Sequence, residues 1–71
     1  MNDYLLDTYV TRMLAAIDNN DAIAATIALT QASARLKLRV SITEEGDGTR
    51  LVSNGEFGFA INEHGVLPLG G

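Results

Sequence analysis

Residues 36–43 read Leu36-Lys37-Leu38-Arg39-Val40-Ser41-Ile42-Thr43, with apolar and polar side chains in strict alternation. A period of two is that of a strand with one buried and one wetted face. The segment before it has a different period, and the segment after it repeats the same one. The fold follows from where the period changes.

Upstream, residues 2–18 carry apolar side chains at helical spacing. Leu5, Leu6, Tyr9, Val10, Met13, Leu14, Ala16 and Ile17 fall on one side of a helix, with Asp7, Thr8, Thr11, Arg12 and Asp18 on the other. Asn2 or Asp3 caps the first turn. Asp18-Asn19-Asn20-Asp21 then breaks the helix. Asn tolerates the left-handed conformation that ends helices, and Asp21 is a good N-cap for the next one. So short a connection predicts an antiparallel helical hairpin.

The second helix, Ala22 to about Arg35, is Ala-rich and apolar on two opposite sides. Ile23, Ile27 and Ala34, with Thr30 among them, form one stripe. Ala22, Ala25, Leu29, Ala32 and Leu36 form the other. A helix apolar on both sides is covered on both, by the first helix and a sheet or by another chain. The Ala-rich stripe is small enough for close helix approach. It is the expected homodimer interface: Ala22, Ala25, Leu29, Ala32 and Leu36.

Downstream, Glu44-Glu45-Gly46-Asp47-Gly48 is a turn, and residues 49–53 are a second strand. Asn54-Gly55 is a strong hairpin signal, and residues 56–61 are a third strand with Phe57, Phe59 and Ile61 on one face. Asn62-Glu63-His64-Gly65 is another turn. Residues 66–69 form a short fourth strand that Pro68 confines to an edge. A two-residue loop at Asn54-Gly55 sets Val52 opposite Phe57 and Arg50 opposite Phe59. An odd-length first turn, with Gly48 left-handed, sets Ile42 opposite Val52 and pairs Glu44 with Arg50. The expected core face is Val40, Ile42, Val52, Phe57, Phe59 and Ile61. The other face carries Lys37, Arg39, Ser41, Thr43, Leu51, Gly58 and Ala60.

The fold class is therefore α+β: an N-terminal antiparallel helical hairpin packed on one face of a three- to four-stranded antiparallel β-sheet. A chain of 71 residues is a single domain, with the helical hairpin at 1–35, the β-meander at 36–69 and a flexible tail at 70–71. The 46% hydrophobic and 20% charged content is that of a folded chain. One core at this size supplies only about 3–5 kcal/mol, which favours association.

Function classes narrow by composition. There is no Cys, which removes disulfides, thiolate metal sites and cysteine catalysis. No apolar run approaches the roughly 20 residues of a membrane span. The N-terminus, MNDYLLDTYV, is acidic rather than basic like a secretory signal, so the expected compartment is the cytoplasm. The net charge of −4 argues against general nucleic-acid binding. It is unevenly spread: residues 35–43 hold three bases and no acid, and residues 44–71 hold five acids and one base.

His64, the only His, sits beside Glu63 in a turn with no nucleophile or paired carboxylate placed to work with it. The acids at the first turn lack the spacing of a calcium loop. None of the glycines lies between a strand and a helix N-terminus, as phosphate cradling requires. The second helix opens with Asp21-Ala22-Ile23-Ala24-Ala25, which excludes it as a DNA recognition helix. No cofactor or metal is expected, and no catalytic pair can be assembled.

The expectation is a small non-enzymatic protein-binding module: an inhibitor, adaptor or accessory subunit acting on another protein. Small inhibitors of phage or mobile-element type are similar in size, acidity and missing catalytic groups, an analogy of class. The expected partner-binding residues are Lys37, Arg39, Arg50 and Leu51, with Glu44 and Glu45 as a negative lobe that steers a basic partner. The rival expectation is a nucleic-acid or anion binder using Arg35, Lys37, Arg39 and Arg50.

Overall fold

The computed structural model describes residues 4–69. Two helices, α1 (Tyr4–Asp18) and α2 (Ala22–Leu36), precede four strands, β1 (Ser41–Glu44), β2 (Arg50–Ser53), β3 (Gly58–Asn62) and β4 (Gly65–Pro68). The strands form one antiparallel sheet in the order β1-β2-β3-β4. The α+β architecture is as the hydrophobic periods require, and the strand containing Pro68 is an edge. The expected caps Asn2 and Asp3 and the tail at 70–71 lie outside the described residues.

The α1–α2 connection closes as a Schellman turn on Asn20, whose φ is 59°. Asn20 donates its backbone N–H to Ile17 O at 3.0 Å, and Asp21 donates to Ala16 O at 2.8 Å. Asp21 then caps α2, its Oδ1 accepting from Ala24 N at 3.1 Å.

The end of α2 departs from the alternation. The helix runs through Leu36, and Lys37 is its left-handed cap with φ 57°. Lys37 N donates to Ala34 O at 3.3 Å and Leu38 N to Ser33 O at 2.9 Å, a second Schellman closure. Leu36 belongs to both periods at once. The high helix propensity of the Ala-rich run carries the helix past the point where alternation begins. Residues 38–40 then connect without a ladder, and β1 is only four residues long. Lys37 and Arg39 therefore do not share a strand face.

The first hairpin has the expected register. Ile42 pairs with Val52 and Glu44 with Arg50; Glu45 N donates to Thr49 O at 2.7 Å, and Gly48 has φ 89°. The second hairpin is longer than expected. Val52 pairs with Phe59 and Arg50 with Ile61, rather than with Phe57 and Phe59. Asn54 does not take a positive φ; only Gly55 does, at 94°. Asn54 instead uses its Oδ1 to accept from Glu56 N at 2.9 Å and Phe57 N at 3.0 Å. This side-chain turn makes a four-residue loop, and the resulting slip of two positions leaves every side chain on its expected face.

One core joins both layers. Met13, Ala16 and Ile17 of α1, Ala25, Ala28 and Leu29 of α2, and Val52, Phe59 and Val66 of the sheet pack together, with Val40, Phe57 and Ile61 at its margin. α1 lies against β4, so helix cover is concentrated away from β1. Ile42, expected in the core, is exposed, as is every residue of β1. Leu5 and Leu14, on the borders of the broad α1 face, are also exposed.

The stripe Ala22, Ala25, Leu29, Ala32 and Leu36 is the inward stripe of α2. Ala25, Leu29 and Ala32 are fully buried within this one chain, and Ala22 and Leu36 are half-buried. The dimer interface expected on it is thereby corrected. The small side chains serve close approach of α2 to its own hairpin partner and the sheet. The outward stripe is the other one.

Candidate functional site

The outward stripe leaves Ile23 75% and Ile27 55% exposed, and Ile42 on β1 is 62% exposed. These three isoleucines surround one groove of about 630 Å³. α2 forms one wall through Ile23 and Ile27, β1 forms the other through Ile42, and Val52 and Ile61 line its sheet side. Glu44 and Arg50 stand on the same sheet face by strand parity and complete the lining. Arg50 Nε donates to Glu44 Oε1 at 3.1 Å. Both side chains are well exposed, so this ion pair contributes at most about 1 kcal/mol and mainly sets the polarity of the rim.

The local causes are clear. Ile23 and Ile27 are four residues apart and share one face of α2. Thr26 lies beside them, its Oγ1 donating to Ala22 O at 2.8 Å, so the hydroxyl is turned back to the helix. Ile42 reaches the same groove because β1 continues the sheet beyond the part the helices cover. Full burial of an Ile side chain is worth about 1.5–3 kcal/mol. Three of them around one hollow, bordered by one ion pair, have the anatomy of an interface: apolar centre and polar rim.

The expected partner-binding residues are spread over several elements. Glu44 and Arg50 stand at the groove. Glu45 lies in the turn after β1, Lys37 caps α2, and Arg39 lies in the connection before β1. Leu51 is on the opposite sheet face, where it pairs with Ala60, which in turn pairs with Leu67. The basic residues are divided as well, since Arg50 is held by Glu44 on the groove side.

A second hollow, of about 370 Å³, lies where the β1–β2 and β3–β4 turns meet, lined in part by Asp47, Glu63 and His64. His64 Nε2 is 3.5 Å from Glu63 Oε1, both largely in solvent. Asp47 Oδ1 accepts from Thr49 N at 3.0 Å, which holds its carboxyl below the ordinary carboxylate range. No group of three or more metal-ligating side chains occurs among the described residues. No described helix is long and apolar enough to cross a membrane.

The groove residues Ile23 and Ile27 were visible as one of the two stripes of the second helix. The signal that separates the stripes is side-chain size. The stripe richer in Ala fits between a helix and its hairpin neighbour, whereas branched isoleucines would hold them apart. Comparison of the chain with protein-family models, with curated proteins and with solved structures returns no match.

Proposed function

We propose that this chain is a small non-enzymatic protein-binding module, an inhibitor, adaptor or accessory subunit of the cytoplasm, that docks through the groove between α2 and β1. The observation that carries this reading is the convergence of Ile23, Ile27 and Ile42 on one open hollow. The occupant it fits is an extended apolar segment of protein lying along β1, with a polar residue positioned to meet the Glu44–Arg50 rim. An exposed edge strand supplies backbone pairing and the groove supplies side-chain contacts, which is the logic of strand addition. The rival reading, an anion or nucleic-acid binder, loses Arg50 to the ion pair with Glu44.

The test is a comparison of the wild type with the Ile23→Ser, Ile27→Ser double variant. Both positions are exposed, so circular dichroism should be unchanged. A protein retained by the wild type, once purified, should bind the variant about 30-fold more weakly, from loss of about 2 kcal/mol of apolar burial. Equal affinity would overturn the reading.

A further inference from the structure

The two edges of the sheet are treated differently, and the difference names an occupant for the groove. Along an antiparallel pair, successive residues point their backbone N–H and C=O alternately toward the partner strand and away from it. Glu45 N donates to Thr49 O, so the odd-numbered residues of β1 face β2. Ile42 and Glu44 therefore turn their backbone groups to the open side. On β4 the same alternation sends Val66 and Pro68 outward. Val66 N–H is taken by Asn20 Oδ1, and Pro68 has no N–H to offer. Neither outward position of β4 has an N–H free to pair. Nothing among the described residues closes β1, and no Pro, Gly or bulge interrupts it.

We propose that the occupant of this edge is a second copy of the same chain, with the two β1 strands antiparallel about Ile42 so that the sheets join into one of eight strands. This rests on the protein-binding reading above and assigns its partner. Backbone, apolar and charge matches agree in this register. Ile42 lies opposite Ile42 of the second copy, with the outward backbone groups of both strands aligned. Val40 lies opposite Glu44 of the second copy, again even residue against even. The charges also match: Arg39 falls opposite Glu45 of the second copy, and the symmetry repeats that pair. The basic stretch before Ile42 and the acidic turn after it are thus self-complementary when antiparallel. The pairing places Ile42 of the second copy at the open mouth of the groove, on the face that carries Ile23 and Ile27. A register shifted two residues toward the acidic turn would set Glu44 against Ile42 and lose the apolar contact, and one shifted the other way would set Ile42 against Val40, which lies outside β1.

The experiment is sedimentation equilibrium of the full chain at about 1–500 μM, a range chosen to bracket a weak association, with circular dichroism on every variant. The wild type should be a dimer in this range. Ile42→Lys, at a position exposed in the single chain, should be monomeric with an unchanged spectrum. Arg39→Glu and Glu45→Arg, each alone, should weaken association by about tenfold through like-charge pairs across the strands. The two combined should restore it, because each chain then presents the inverted pair. A monomeric wild type, a dimer indifferent to Ile42→Lys, or failure of the charge swap to restore association would each overturn self-pairing. If self-pairing fails while a purified partner still requires Ile23 and Ile27, the docking reading stands with a different protein in the groove.

Discussion

The Asn54 side chain donates from Nδ2 to Ser33 Oγ at 2.9 Å, and both residues are buried. Ser33 Oγ in turn donates to Leu29 O at 2.7 Å. With its Oδ1 accepting from Glu56 and Phe57, Asn54 both builds the β2–β3 loop and ties it to the last turn of α2. No buried side-chain polar atom among the described residues lacks a partner. The network is complete, so breaking it leaves buried groups exposed to nothing.

Asn54→Ala should therefore cost about 2–3 kcal/mol, since two loop amides lose their acceptor while the helix hydroxyl loses one of its two partners and keeps Leu29 O. Ser33→Ala should cost less, about 1–2 kcal/mol, because Asn54 keeps both loop bonds. Urea denaturation of both variants measures this, and an Asn54→Ala midpoint no lower than that of Ser33→Ala would show that the loop does not depend on the amide.

Backbone handedness gives a pair of opposite expectations. Gly55 has φ 94° and open space where a side chain would go. Gly55→Val should cost about 1–2 kcal/mol of stability through strain alone, greatest for a β-branched residue, and so lower the melting temperature. Lys37 is the reverse case, an exposed non-glycine at φ 57°. Lys37→Gly should raise stability by about 0.5–1 kcal/mol. Thermal melts of the two variants should shift in opposite directions.

The same residues show what was legible in the sequence. The period change marked the helix-to-strand passage, but Leu36 satisfies both periods, so its placement depended on the helix carrying on to a left-handed Lys37. Asn54-Gly55 announced a hairpin. Its length depended on the Asn side chain binding two amides, which a dipeptide signature does not encode. The faces of the β2 and β3 residues are nonetheless as expected, because the slip is two positions and the side-chain period is two. The first hairpin, where Gly48 fixes the turn, was legible down to the Glu44–Arg50 pair. At the site, both helix stripes are visible in the sequence, but small side chains alone do not tell packing within the chain from packing between chains. Ile42 was assigned to the core because alternation reports that a face is apolar and not whether a helix reaches far enough to cover it.

Asn20 is the joint between the two layers at the other end of the molecule, and it is open to a thermodynamic cycle. Its backbone takes the left-handed turn between α1 and α2 while its Oδ1 accepts from Val66 N on β4. Gly65, at φ 119°, lies so close that an added Cβ would collide with the Asn20 amide. Asn20→Gly keeps the turn and removes only the bond to a half-buried N–H, which should cost about 1–2 kcal/mol. Asn20→Ala should cost about 1 kcal/mol more, since Ala also resists the left-handed backbone. Gly65→Ala meets backbone strain in any background but meets the collision only when the amide is present. It should therefore be less costly in the Asn20→Gly background than in the wild type, with a coupling energy of about 1 kcal/mol between the two sites. Strictly additive effects in urea denaturation would mean that the contact between turn and strand is not formed in solution. The Asn20→Gly variant also frees the outward N–H of β4 at Val66. It should associate more readily than the wild type if a closed edge is what keeps β4 from pairing, and sedimentation of this variant with the Ile42→Lys change in place reads that effect alone.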